Sequence, residues 1–337
     1  MLYEIKDLHL ELSSFCNARC PLCPRNVWGK PYNAGYTETN LTKEQFAQIF
    51  QPKTLEKIDS TLINGNFGDF VMNPDSVDII KYLKASNPHM RIRVSTNGSA
   101  RDADFWQDLG RMGITIEFCI DGLEDTHNLY RQDTSFSRIL RNAKDFIAHG
   151  GQAIWRITEF EHNRLQIEAM RDLAQQIGFK ETSVRARGRD TGPVYDREGK
   201  KIFIIGTSPD TWPEMLDEKF LDDYYMKMAT APSKVSASTE ITCQALNERS
   251  IYLSADGHVY PCCWTGFNPK SYKGSPSFGT FGKWNKQLLP YVSHNNALEV
   301  GLDQALEWFH HLSDSWKSPD QPEVCKFFCG AEYDHSH

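Results

Sequence analysis

The stretch LHLELSSFCNARCPLCPRN, residues 8–26, decides how this chain is read. Leu8, Leu10 and Leu12 alternate with His9 and Glu11, the period-two pattern of a strand with one apolar face. The strand runs straight into a loop that carries Cys16, Cys20 and Cys23. Three thiolates on one loop can hold three irons of a cubane cluster, leaving the fourth iron open to a non-protein ligand. Two other uses stay open on the residues alone. A zinc knot needs a fourth ligand for its closed tetrahedral site, and His9, the nearby imidazole, sits on the strand. A redox pair of Cys20 and Cys23 leaves Cys16 unexplained.

Outward from this stretch, strands and helices alternate. Short apolar or β-branched runs at 8–12, 60–63, 91–95, 114–120, 153–158 and 182–187 read as strands. Helical periodicity falls between them at 42–50, 74–85, 103–112, 136–149 and 164–177, with Asn163 placed to cap the last helix and Gly178 to end it. Six strands alternating with five helices imply an α/β fold with a parallel sheet, as a partial β/α barrel or an open doubly wound sheet. Either fold binds ligands at the carboxyl ends of its strands. Residues 191–242 then read as a bridge rich in Gly, Pro, Asp and Ser, with a strand-like piece at 201–205 and an amphipathic stretch at 213–228. A β-hairpin follows, 250–254 paired with 258–260 through Ala255-Asp256-Gly257, then a helical stretch at 296–311. The organisation expected is thus 1–190, 191–242 and 243–337.

The 337 residues suffice for one large domain and a smaller one. Hydrophobic residues at 40%, charged residues at 24% and a net charge of −7 describe a globular protein without the basic surface that nucleic acid selects. Arg185, Arg187 and Arg189 are the candidates for a local basic pocket. No apolar run is long enough to span a bilayer, and the acidic residues of MLYEIKDLHLEL do not suit a signal peptide, so a cytoplasmic location is expected. There, metal ligation is the more natural use of nine cysteines than disulfides. Three lie within 16–23 and five within 243–329, with Cys119 alone between the groups.

The Cys-x-x-x-Cys-x-x-Cys loop after the first strand resembles the signature of the radical S-adenosylmethionine (SAM) superfamily. The resemblance implies a partial (β/α)6 TIM-like barrel, a [4Fe–4S] cluster on Cys16, Cys20 and Cys23, and SAM chelated to the open iron. In that family the reduced cluster cleaves SAM to methionine and a 5′-deoxyadenosyl radical, which takes hydrogen from a substrate carbon. Leu22 stands where the family usually places an aromatic residue against the adenine. Gly65-Asn66-Phe67-Gly68-Asp69 resembles the family's Gly-Gly-Glu-type motif for the methionine ammonium, with Asp69 in the place of the acid. Ser95-Thr96-Asn97-Gly98 resembles its Thr-Asn-Gly turn, which puts Ser95 and Asn97 near the ribose or methionine. Cys119-Ile120-Asp121-Gly122, with His127 and Arg131 beyond, resembles the Ser-Ile-Asp-Gly…His…Arg run of the peptide- and metabolite-modifying branch. Cys119 there is either a small barrel-lining residue or a thiol that donates hydrogen to a substrate radical. Arg156, a charge inside an apolar strand, meets either the methionine carboxylate or an acid such as Glu159. His127 and His162 read as surface or turn residues.

In the C-terminal part, Cys243, Cys262 or its neighbour Cys263, Cys325 and Cys329 suit a fully ligated site, for which zinc and an iron–sulfur cluster are alternatives. Their arrangement resembles the SPASM/twitch extension that follows radical SAM barrels, in the shorter form with one auxiliary [4Fe–4S] cluster. The resemblance implies an enzyme that oxidises, epimerises or joins atoms in a peptide, protein or small metabolite, supplied with electrons by a donor such as flavodoxin or ferredoxin. The alternative class is a non-catalytic iron–sulfur or zinc protein for electron transfer or partner binding.

Overall fold

Apolar spacing and capping produce the expected alternation along the chain. In a computed structural model, β1 (Asp7–Leu10), α1 (Lys43–Ile49), β2 (Ser60–Ile63), α2 (Ser76–Ser86), β3 (Arg91–Thr96), α3 (Ala103–Arg111), β4 (Thr115–Cys119), α4 (Phe136–Ala148), β5 (Gln152–Thr158), α5 (Ile167–Ile177) and β6 (Glu181–Arg185) follow one another. The residues described are 4–21, 23, 25–27, 30–31, 38–185, 192–205, 240–267, 287–288, 294–317 and 321–330. Leu22, Arg187, Arg189 and the stretch 213–228 lie outside them. Local signals set the helix ends. Thr42 and Gln45 form a capping box on α1, Asp102 and Ser135 cap α3 and α4, and Gly178 ends α5 at a φ of 98°. Asn163 does not cap α5. Its side chain instead ties the backbone of Asp121, Thr158 and Phe160 together, and a 3-10 turn (Arg164–Gln166) leads into the helix.

The chain divides into two compact units. The first combines Met1–Phe15, Ala34–Arg91 and Ala229–Ser336, and the second Cys16–Asn33 and Ile92–Met228. In the first unit β1 pairs in parallel with β2 on one side and with β7 (Ser250–Leu253) on the other. β7 turns through Gly257, at a φ of 88°, and pairs antiparallel with β8 (Val259–Tyr260). The hairpin is the expected one, but its first strand extends the parallel sheet beside β1. Leu8, Leu10, Ile63, Ile251 and Leu253 are buried around these strands. The helical stretch expected at 296–311 is broken at Gly301, which sits at a φ of 82°. It gives Ala297–Val300, Leu302–Ala305 and then α6 (Trp308–Ser315), with α7 (Glu323–Cys329) following.

The second unit carries β3, β4, β5 and β6, each parallel to the next. The two faces of these strands differ because side chains alternate. Ile92, Val94, Ile116, Phe118, Trp155 and Ile157 are buried on one face. There Phe118 packs against Trp106 of α3 and Phe146 of α4, with ring centroids 5.3 and 6.0 Å apart. Each such ring removes about 150–250 Å² from water, which makes this face the main core of the unit. The opposite face carries Arg93, Ser95, Glu117, Cys119, Arg156, Ser183 and Arg185, a polar lining where a closed barrel would pack aliphatic layers.

Candidate active site

The sequence-derived candidates fall into two groups, one in each unit. In the second unit, Cys16, Cys20 and Cys23 are free thiols on a loop that turns back on itself. The Cys23 N–H donates to the Cys20 carbonyl at 3.0 Å, and the Asn26 side chain donates to the same carbonyl at 3.2 Å. N–H donors from the protein lie near the sulfurs of Cys16 and Cys20. The Ala18 N–H lies 3.4 Å from Cys16 Sγ, Asn97 Nδ2 lies 3.8 Å from it, and Arg131 Nη1 lies 3.8 Å from Cys20 Sγ. Burial pushes the Cys20 thiol up to about 11 against the pull of the Arg131 charge, so the free thiol stays protonated. Metal-bound thiolates accepting N–H donors in an apolar seat are the usual setting of an iron–sulfur cluster, and the donor set fits one. Among the described residues no three Cys, His, Asp or Glu side chains close around a point as a single ion requires. A cubane binds each thiolate through a different iron and needs no such closure.

An apolar seat surrounds the loop. Ala18 and Cys20 pack with Tyr130, Phe160, Val194, Phe203 and Ile205, and Cys16 and Cys23 lie against the same cluster. Three of these residues come from a hairpin, Gly192–Tyr195 paired with Lys201–Ile205, in the segment expected to be a bridge between domains. Sequence reasoning marked the strand-like run at 201–205 but carried no signal for its place over the cysteine loop. Arg19 and Arg197 both reach Asp133, at 3.2 and 2.7 Å, beside this hairpin.

Asp121 is fully buried and its carboxylate is committed. Oδ2 accepts from Arg131 Nε and Oδ1 from the Thr158 N–H, both at 2.5 Å. Asp121 therefore holds Arg131, and Arg131 addresses Cys20. Asn97 is also buried and donates to Asn17 at 3.0 Å, fastening the end of β3 to the cysteine loop. One step deeper, Ser95 Oγ donates to Glu117 at 3.2 Å and lies 3.6 Å from Cys119 Sγ. Burial raises the Cys119 pKa, so it too keeps its proton. Arg156 donates to Glu117 at 2.8 Å, so its acid partner is neither Glu159 nor any residue close by in sequence. His127 is fully buried at the start of a short helix, with Nε2 3.0 Å from Thr134 Oγ1, and burial lowers its pKa to about 4.

In the first unit, Gly65–Asp69 follows β2 and is gathered around Glu11, a residue sequence reasoning placed on a strand and gave no role. Glu11 is 2% exposed. It accepts from the Phe67 N–H at 2.6 Å, the Gly68 N–H at 3.1 Å and the Tyr252 hydroxyl at 2.8 Å. Burial outweighs these donors and raises its pKa to about 7. Asn66 donates through Nδ2 to the Cys263 carbonyl at 2.8 Å, and the rings of Phe67 and Phe267 meet edge to face at 5.9 Å. Asp69 caps the turn that follows by accepting from the Val71 N–H at 3.2 Å. No side chain fits at Gly68, where a Cβ would overlap the Ser13 carbonyl.

The C-terminal cysteines also lie in the first unit, and two of them, Cys243 and Cys329, are hydrogen-bonded. That hydrogen bond raises the pKa of Cys243 and lowers that of Cys329 to about 7. Cys262 feels the charge of Cys329, and Cys325 feels both. Burial raises the pKa of Cys263, with smaller contributions from the charges of Cys262 and Glu11, and its carbonyl is taken by Asn66. Trp264 stacks on Phe328 at 3.7 Å beside this group.

Residues 10–158 match the Radical SAM superfamily model. Over 94% of this chain and 86% of its own, the tungsten-containing aldehyde ferredoxin oxidoreductase cofactor-modifying protein of Pyrococcus furiosus is 19% identical. Among solved structures, Streptococcus suis SuiB bound to S-adenosylmethionine superposes with a TM-score of 0.53 at 15% identity, over 96% of this chain and 78% of its own. The protein anSMEcpe with bound AdoMet superposes with a TM-score of 0.54 at 16% identity, over 96% and 85%. SuiB has also been solved bound to its precursor peptide SuiA, with a TM-score of 0.52 at 16% identity over 96% and 76%. The shared fold is the α/β partial barrel.

Proposed function

We propose that this chain, whose residues 10–158 match the Radical SAM superfamily model, is an enzyme of that kind, cleaving SAM reductively to take hydrogen from a substrate carbon. The observation that carries the proposal is the three-thiol loop, with N–H donors turned to its sulfurs and an apolar seat beneath it. When bound, a [4Fe–4S] cluster and SAM supply the one-electron cleavage and the hydrogen-abstracting radical.

The protein's own part is to hold, orient and exclude water. Cys16, Cys20 and Cys23 ligate the cluster, and the aromatic and aliphatic seat keeps solvent from it. Gly65, Asn66, Phe67, Gly68 and Asp69 receive the methionine end of SAM, through a backbone that Glu11 holds in one conformation. Ser95 and Asn97 lie at the carboxyl end of β3, where the ribose and methionine are handled. Asp121 acts through Arg131, and Arg156, braced by Glu117, offers a guanidinium to a carboxylate. Cys119 retains its proton and so has a hydrogen to give; replacing it with Ala then alters product yield or stereochemistry, and an unchanged product removes it from the mechanism. Cys243, Cys262, Cys325 and Cys329 hold one auxiliary [4Fe–4S] cluster.

The substrate is a peptide, a protein or a small metabolite, processed in the cytoplasm with electrons from a flavodoxin- or ferredoxin-like donor. Peptide-bound SuiB favours the first class and the Pyrococcus cofactor-modifying protein the second. Among the described residues no helix is long and apolar enough to cross a membrane.

The decisive experiment is 5′-deoxyadenosine formation by anaerobically reconstituted protein given dithionite and SAM. The expected result is formation that disappears in the Cys16/Cys20/Cys23→Ala variant. Zinc without iron in the reconstituted protein overturns the proposal.

A further inference from the structure

The Gly65–Asp69 turn has two supports, both within the first unit. One is Glu11, just beyond β1, with Tyr252 of β7; together they fix the N–H groups of Phe67 and Gly68. The other is the turn 262–267, which carries Cys262. Asn66 Nδ2 donates to the Cys263 carbonyl at 2.8 Å, and the buried rings of Phe67 and Phe267 meet edge to face. This second support is tightly built. The Gly266 N–H donates to the Cys262 carbonyl at 3.1 Å and the Thr265 hydroxyl to the same oxygen at 2.8 Å, so the turn closes on Cys262. A Cβ at Gly266 would lie 2.5 Å from the Tyr252 ring, which leaves the turn no slack against β7. Trp264 stacks at 3.7 Å on Phe328, the neighbour of Cys329 on α7. The turn thus meets the Gly65–Asp69 backbone through Cys263 and Phe267, and the C-terminal cysteines through Cys262 and Trp264.

Adjacent Cα atoms are about 3.8 Å apart, so a thiolate fixed on metal at Cys262 restrains the next carbonyl along, the one that Asn66 grips. We propose that metal bound by the C-terminal cysteines tightens SAM binding at the Gly65–Asp69 turn, and that Asn66 is the positioning residue that transmits the effect. Its side chain is committed to Cys263, so it acts on SAM through the backbone of its own turn. Coupling between binding sites is reciprocal, so SAM in turn steadies residues 262–267. The support from Glu11 and Tyr252 does not pass through a metal ligand, which makes the effect graded, roughly tenfold in affinity, and not all or none. This inference rests on the proposed SAM and auxiliary sites and adds the link between them.

The test is a double-mutant cycle on the full chain, reconstituted anaerobically with iron and sulfide. SAM is titrated calorimetrically into wild type, Asn66→Ala, Cys243→Ser/Cys329→Ser and all three substitutions combined, with an iron count on each. The expected result is SAM binding roughly tenfold weaker in Asn66→Ala, with its iron unchanged, and similarly weak in the cysteine variant. The combined variant is expected to be no weaker than either. Hydrogen exchange on the same samples is expected to show SAM protecting residues 262–267 in wild type and not in Asn66→Ala. Equal SAM affinity in wild type and in a cysteine variant that has lost iron overturns the inference. So does additivity, which would mean that Asn66 touches SAM directly. Should the cysteine variant not fold, unchanged affinity in Asn66→Ala, or protection of 262–267 that survives that substitution, overturns it instead. Equal iron in wild type and the cysteine variant would remove the auxiliary site and the link with it. Absence of SAM binding by wild type would remove the SAM site, so the three failures are told apart.

Discussion

Glu11 is a carboxyl group enclosed by its own donors. Its pKa is raised from 4.5 to about 7, chiefly by burial. An acid whose folded pKa is raised binds its proton more tightly when folded, so its stabilising contribution is complete below pH 4.5 and is lost as pH rises toward 7. The shift corresponds to roughly 3 kcal/mol. Glu11→Gln keeps the oxygen that meets Phe67 and Gly68 and turns an amide toward Tyr252. Denaturant unfolding at pH 5 and pH 7.5 is expected to show wild type losing stability relative to Glu11→Gln across that interval; parallel behaviour refutes this reading. The C-terminal thiols give a second prediction at the same scale. Cys262→Ser loses the auxiliary metal on reconstitution, whereas Cys263→Ser retains it, as an iron count will show. Reversed results would exchange the two residues. Sequence alone left that pair undecided because adjacent thiols have the same spacing to every distant cysteine. It also gave Glu11 no role, since a carboxylate's partners across 56 and 241 positions leave no local trace.

Among the elements, the glycine-rich turn after β2 is the most constrained. Gly68→Ala forces a methyl group onto the Ser13 carbonyl and is expected to cost about 2–4 kcal/mol, with SAM binding weakened in parallel. Thermal denaturation and SAM titration of the variant check this, and unchanged values in both would show that the backbone gives way. The elements themselves were largely legible. Six strands and five helices follow from apolar periodicity, and their ends lie within a few residues of the expected positions. The exceptions have local physical causes. Gly301 interrupts a periodic helical pattern by taking a left-handed φ, and Asn163 gives up a cap to bridge three backbone segments. The place of the hairpin at 192–205 over the cysteine loop could not be read, because contact across 170 or more positions has no period.

At the scale of the whole molecule, sequence order and compactness part company. The expected hairpin forms, but β7 lies beside β1 in parallel, and the first unit draws on both ends of the chain. A chain ending at residue 242 therefore leaves one edge of β1 unpaired and deprives Glu11 of Tyr252. Such a truncation is expected to expose residues 4–15 and 38–91 to limited proteolysis and hydrogen exchange, while the full chain protects them. Equal protection would show that the first unit folds without its C-terminal part.

That pairing also sets a timetable. Asp7 meets Ser250, and 250 − 7 leaves 243 positions of synthesis between the partners. At roughly 5–20 residues per second, the ribosome needs about 12–50 s to deliver the second strand after the first. Throughout that interval the strand leading into the cysteine loop has a bare edge in the cell. An unpaired parallel edge of this kind is open to wrong pairing until its partner strand has been made.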